Sequence, residues 1–207
     1  MFGAPPVGFC GSGILDAIAQ LYLAGVIEAN GRMNVDHPRV RVTDGEREFV
    51  MVSGEKSGGP VLTVTQGDVR EIQLAKGAIR TGIQVLLETN GLSEEDIEEV
   101  IIAGAFGSYI DIVSAITIGM LPLLPLERFR QVGNAAGTGA RMALISRSKR
   151  SEAHNIAGRV SYIELAATPH FTHTFAQANY IGLYRMANGK RKEIEEWRQK
   201  LQALHGK

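Results

Sequence analysis

The stretch "VIIAGAFGSYID", residues 100–111, decides the reading of the fold. It opens as an apolar run of the kind that a strand buried on both faces requires. It then halts at Gly104 and passes a second glycine, Gly107, before any helix can restart. In an open α/β sheet, ligands sit beyond the carboxyl ends of the strands, so the turn leaving such a strand must let backbone come close. Gly104 permits positive φ and presents N–H groups with no Cβ in the way, as main-chain recognition of adenine or phosphate would need. Glycine after a strand also serves tight turns and close helix–sheet contacts, so one such turn is weak evidence by itself.

A second turn of the same character follows. "FRQVG" reads as another strand, and "NAAGTGARMALISR" as a helix entered through small residues. The N–H groups at the start of such a helix form an anion-friendly end. Between the two strands, "DIVSAITIGMLP" reads as a short helix. The order strand, helix, strand, helix argues for a parallel sheet with helices packed on it, because parallel neighbours need a crossover.

Upstream, "GFCGSGILDAIAQLYLAG" places a glycine-rich turn ahead of Ile14, Leu15, Ile18, Leu21 and Tyr22, with Ser12 as cap and Gly25 as stop. "EFVMVS" and "PVLTVT" are β-branched-rich runs flanking "GEKSGG", a hairpin with a longish loop. From Thr65 to about Thr89 the spacing of Val69, Ile72, Ala75, Ile79, Ile83, Leu86 and Leu87 on one side of a 3.6-residue wheel predicts one long helix, with Asp68 in its first turn. "LSEEDIEEV" reads as a short acidic helix. Downstream, residues 148–160 read as a helix, "SYIEL" as a third short strand and "TPHFTHTFAQANYI" as the last helix of the body. "KRKEIEEWRQKLQALHGK" is a charged terminal helix or tail, with Ile194, Trp197, Leu201 and Leu204 in three-four alternation. Residues 1–187 thus form one unit with a hairpin insertion at about 40–65, and 188–207 the tail.

Composition bounds the function. The chain has 207 residues, 44% of them hydrophobic, enough for one good core. Its 22 basic and 22 acidic residues cancel, so no global field attracts nucleic acid or an anionic membrane. Cys10 is the single cysteine, which excludes an internal disulfide and any all-cysteine iron–sulfur site, and suits a reducing compartment. The apolar stretches fall far short of the ~18 residues of a membrane span, and the cytoplasm is the expected location.

Taken together, "DVREIQLAKGAI", "IIAGAFGSYID" and "VGNAAGTGARMAL" resemble the second half of the ATPase domain shared by sugar and acetate kinases, heat-shock chaperones and actin, a ribonuclease H-like fold. More finely, "PVGFCGSGILDAI", "TQGDVREIQLAKGAIRTGI", "AGAFGSYID", "GMLPLLPLERF", "VGNAAGTGARMALIS" and "YIELA", in this order, resemble the carboxyl-terminal region of the ATP-dependent reductive activators of corrinoid proteins. The resemblance covers roughly residues 5–178. It implies an α/β fold that is half of an actin-like ATPase domain, a short and mostly parallel sheet flanked by helices. It implies that Gln73 and Lys76 lie against the ribose or adenine, that Gly104, Ala105, Phe106 and Gly107 form the adenosine turn, and that Gly133 and Asn134 begin the closing helix. It further implies ATP or ADP with Mg2+, an iron–sulfur cluster upstream, and a partner that is a corrinoid iron–sulfur protein or a methyltransferase-associated corrinoid protein. The implied activity returns cobalt(II) to the cobalt(I) state that methyl transfer needs.

The chain departs from that family pattern in two respects. One cysteine cannot carry the cluster, and no strand precedes an Asp-x-Gly phosphate turn; the only Asp-Gly, Asp44-Gly45, sits in a polar turn. The chain is therefore expected to be the distal half of a nucleotide domain, beginning just before "PPVGFCGSG". Hydrolysis by this part alone is not expected. It is expected to pair with its upstream half or, through an exposed sheet edge, with another copy.

Other motifs carry less. Gly11-Ser12-Gly13 lacks the third glycine of a dinucleotide fingerprint, Asp16 standing there, and it is no hydrolase elbow. Cys10 reads as a small buried hydrophobe before a reactive thiol. His170 and His173 share a helix face without a third ligand. Asp111 reads as a helix cap before a ligand-orienting group. Lys76 alone would also suit a solvated face. The alternative to an adenosine-binding part is a docking or structural module for the corrinoid protein that binds no nucleotide in isolation.

Overall fold

The structure is a computed structural model that describes residues 6–184 and residue 199. The charged terminal helix expected at 188–207 lies outside the described residues, apart from that one helical position.

Helix α1, Gly11–Leu23, buries Leu15, Ile18, Leu21 and Tyr22 on the face their spacing dictates, and Gly25 at φ +73° turns the chain away from it. Its cap is Cys10 rather than Ser12. The Cys10 Sγ accepts from Gly13 N, and Ser12 lies inside the first turn. Strands β1 (Val40–Thr43) and β2 (Glu46–Val52) pair through the turn Asp44-Gly45, where both residues have positive φ. A one-turn helix α2, Gly54–Ser57, leads to β3, Leu62–Thr65, which pairs antiparallel with β2. The expected hairpin is thus the second and third strands of a three-stranded antiparallel sheet.

Helix α3, Gln66–Thr89, starts at a capping box in which Thr65 and Asp68 bond reciprocally. Its length matches its apolar period, and Val69, Ile72 and Ile83 of that side meet the core, but burial extends round onto the polar side. Ile79 and Leu86 are about half exposed, whereas Lys76, Gly77, Arg80, Thr81 and Gln84 are buried. Helix α7, Phe171–Ala178, and the segment after it lie on the polar side, and Gly77 makes this packing close: a Cβ there would run into the Asn179 amide.

A short 3-10 turn, Glu94–Asp96, stands where an acidic helix was expected, and feeds β4, Val100–Ala103. β4 pairs parallel with β5, Phe129–Gly133, across a crossover that contains α4, Ile112–Thr117. β4 is covered on one face only: Ile102 packs against the core while Ile101 is 53% exposed. Helices α5 (Ala135–Ile145) and α6 (Arg147–Ala157) pack on each other and bury none of their residues. "SYIEL" is not a strand. It pairs with no described strand, Tyr162 is 87% exposed, and a 3-10 turn, Leu165–Ala167, begins at its last residue. The result is the expected α/β unit, a short parallel sheet flanked by helices with an inserted antiparallel sheet, the insertion carrying one strand more than the hairpin.

The core joins Ile18 and Tyr22 of α1, Val26, Ile27 and Met33 after it, Phe49 and Val64 of the antiparallel sheet, Val69 of α3, and Ile116, Ile118 and Met120 around α4. Each fully buried aliphatic side chain contributes about 2 kcal/mol. This core fixes α1 against α4, and so the position of the turn between β4 and α4.

Candidate functional site

The parallel pairing puts both glycine turns at the same end of β4 and β5. The Gly104 N–H donates to the Gly133 carbonyl at 2.7 Å, and a shift of register after Ile102 sets Ala103 opposite Gly133. Both glycines hold left-handed backbone, φ +97° and +62°. A Cβ built on Gly104 would meet no atom within 4 Å, so the space its missing side chain leaves is open.

The rest of the turn is tied down. Ser108 donates from its N–H and its hydroxyl to the Gly104 carbonyl, at 3.2 and 3.1 Å. Gln131 Nε2 on β5 donates to the Gly107 and Ile110 carbonyls at 2.6 and 2.8 Å. Asp111 Oδ1 accepts from Ser114 N at 2.6 Å and caps α4, which is the role its position suggested. Gly107 is buried and leaves room for Ile102, since a Cβ would sit 2.6 Å from Ile102 Cγ2. Its glycine therefore serves packing. Ala105 is exposed and Phe106 is 52% exposed, with its ring over Gly11 at the start of α1.

On the other strand, Asn134 caps α5 by accepting from Gly137 N at 2.9 Å, and the exposed first turn is built of Ala135, Ala136 and Gly137. The first N–H groups of such a helix have no acceptor within it. The site therefore joins three small-residue entries: the Gly104 turn, the start of α5 and, through Phe106, the start of α1.

Gln73 and Lys76 bond to other segments of the chain. Gln73 Nε2 donates to the Asn30 and Asn179 carbonyls at 3.2 and 2.8 Å. Lys76 is 2% exposed and its ammonium donates to the Tyr180 carbonyl. Burial, reinforced by the Arg80 charge, pushes its pKa down to about 7. No described hydrogen bond joins either side chain to the glycine turns.

Gln131 and Phe106's contact with Gly11 were not anticipated as parts of one site. A glutamine in a short strand gives no sign of where its amide will reach, but the small residues of "CGSG" match those of the other two turns. Cys10, expected to be buried, is exposed. Hydrogen bonds from the Ser12 hydroxyl and then the Gly13 N–H lower its thiol pKa. His170, at φ +66°, precedes α7, and His173 bonds Gln177. No group of three metal-ligating side chains occurs among the described residues. Nor is any described helix long and apolar enough to cross a membrane.

An α/β unit with an inserted antiparallel sheet and paired glycine turns at the ends of parallel strands defines a domain of the ASKHA type. The chain belongs to the family described as the C-terminal domain of RACo, the ASKHA domain, whose model matches residues 1–191. It is 41% identical over 187 residues to the corrinoid activation enzyme RamQ of Eubacterium limosum, covering 86% of this chain and 32% of that protein. It is 27% identical over 160 residues to a [Co(II) methylated amine-specific corrinoid protein] reductase of Methanosarcina barkeri, covering 77% of this chain and 26% of the relative. Among solved structures, a reductive activator for corrinoid, iron–sulfur protein superposes with a TM-score of 0.78 at 38% identity, over 86% of this chain and 29% of that one. The chain spans about a third or less of the length of each.

Proposed function

We propose that this chain is the nucleotide-facing carboxyl-terminal part of an ATP-dependent reductive activator of corrinoid proteins. The reading is supported by its family and by relatives whose names describe corrinoid activation and reduction of a Co(II) corrinoid protein. The observation that carries the nucleotide role is the open space over Gly104 in a turn locked to Gly133. Bare main chain and the start of α5 suit a nucleoside and its phosphates better than any side-chain set present there. ATP, when bound, would supply the free energy that makes an unfavourable reduction at cobalt proceed.

In this proposal Gly104, Ala105 and Phe106 line the adenosine, Gly107 shapes the turn from beneath, and Gly133 with Asn134 opens the closing helix. Gln73 and Lys76, which the family resemblance sets against the ribose or adenine, also brace the segment after α7. The Mg2+-bound phosphate turns and the iron–sulfur cluster would come from sequence outside this chain. A corrinoid protein is the proposed partner.

The second reading, a docking module with no nucleotide of its own, draws on the exposed apolar side chains of α5 and α6: Leu144 is 76% and Ile145 84% exposed. Calorimetric titration of ATP and ADP separates the two. Saturable heat that Gly104→Ala removes supports the nucleotide reading, and absence of heat in the parent chain supports docking alone.

A further inference from the structure

A polar cavity of about 630 Å³ opens between the 30–32 turn, the β1–β2 turn and the first half of α3. That size falls in the ~300–1,000 Å³ range of small-molecule sites. None of its lining residues belongs to the β4–β5 turns.

Three guanidinium-bearing residues line it from three different elements: Arg32 before β1, Arg47 on β2 and Arg70 on α3. Arg47 Nη1 donates to the Met33 carbonyl at 3.0 Å, while the Arg32 and Arg70 side chains have no hydrogen bond or ion pair among the described residues. Asp44 and Glu46 also line the cavity but form no ion pair with these arginines among the described residues. Glu46 Oε1 instead accepts from Gly67 N at 2.8 Å. Three positive charges against two negative leave the concavity net positive, and an oxyanion placed on the unpaired guanidinium groups gains charge-assisted hydrogen bonds.

The walls are held in place before any ligand arrives. Gln66 clamps the 31–33 backbone at both ends of its amide, donating to the Gly31 carbonyl at 2.7 Å and accepting from Met33 N at 3.0 Å. Gln73 donates to the Asn30 carbonyl, which closes the same turn. Opposite, Asp44 and Gly45 hold consecutive left-handed backbone, φ 51° and 83°, the conformation of a tight hairpin turn. Rigid walls lower the entropy lost on binding.

We infer that this cavity binds a small phosphate ester rich in hydroxyl groups, its phosphate on Arg32 and Arg70 and its hydroxyls on the carboxylates of Asp44 and Glu46. The test is calorimetric titration of the chain with glucose 6-phosphate, with inorganic phosphate and with glucose. Glucose 6-phosphate should bind saturably, inorganic phosphate more weakly, and glucose not measurably. Arg32→Ala and Arg70→Ala, both at exposed positions and each checked for retained folding by circular dichroism, should each weaken glucose 6-phosphate by about tenfold, the scale of one charge-assisted hydrogen bond. Gly104→Ala should leave that affinity unchanged, which separates this site from the proposed nucleotide turn. Absence of saturable heat with glucose 6-phosphate, or an affinity in both arginine variants equal to that of the parent chain, overturns the inference. Equal affinity for phosphate and its sugar ester overturns the recognition of hydroxyls.

Discussion

The Lys76 ammonium donates to the Tyr180 carbonyl inside the layer between α3 and the segment that follows α7. This contact turns a helix face that looks available to a ligand into an internal brace. It also places a titratable group where charge is costly, because Lys76 is 2% exposed with a pKa near 7.

Stability should therefore rise with pH above neutrality. Between about 7 and the ordinary lysine value of 10.5 the unfolded chain holds a proton that the folded chain has released, so raising pH favours the folded state. The slope from this one group is at most about 1.4 kcal/mol per pH unit. Urea unfolding from pH 7 to 9 should show the rise, and Lys76→Met should flatten it; equal slopes in the two proteins would remove Lys76 as its source.

Glu94 should matter more than a half-exposed carboxylate usually does. Arg80 is 1% exposed, bonds Glu94 through Nη2 and lies 4.7 Å from the Tyr184 ring centroid, while its Nε and Nη1 have no hydrogen-bond partner among the described residues. Removing the carboxylate leaves a buried cation uncompensated. Glu94→Gln is expected to cost about 2 kcal/mol in chemical denaturation, discounted from the fully buried case because Glu94 is 31% exposed. Arg80→Met should cost less than Glu94→Gln.

Asp111 acts on the fold. Asp111→Ala should lower stability by about 1 kcal/mol through loss of the α4 cap, and Asp111→Asn should restore most of it. Nucleotide affinity is expected to change little in either variant. A loss of affinity in Asp111→Asn with stability retained would assign the carboxylate to the ligand.

Gln131 should act on the site. Gln131→Leu removes the two donations that hold the Gly107 and Ile110 carbonyls, on a side chain exposed enough to leave the core intact. Expected is a nucleotide affinity weaker by about fivefold to tenfold with a melting temperature close to that of the parent chain. A large fall in melting temperature with affinity kept would make Gln131 a stability residue alone.

Much of the framework was legible because it depends on local pattern. The long helix starting at Thr65 with Asp68 in its first turn, the strand ending at Gly104, the parallel crossover to "FRQVG" and the cap at Asp111 follow from residue types at fixed spacing. The sided burial of α3 was not legible. Its period grouped the apolar residues on one side, and several of them do meet the core, but a second partner surface, α7 and the residues after it, covers the polar side as well, with Gly77 allowing close approach. A wheel reports which residues share a face, not which face meets a neighbour. For the same reason "SYIEL" has a strand's composition without a strand to pair with, and β1, short and polar, left little signal beside the two richer runs.

The most direct test of the nucleotide proposal is a calorimetric titration of ATP into the parent chain, Gly104→Ala and Gly25→Ala. Gly25 is also left-handed, at φ +73°, and a Cβ there meets nothing within 4 Å, so it carries comparable backbone strain away from the turns. ATP should bind the parent chain and Gly25→Ala alike and lose at least about tenfold in Gly104→Ala. Equal binding by all three, or equal loss in both variants, would contradict a nucleoside resting on the Gly104 main chain.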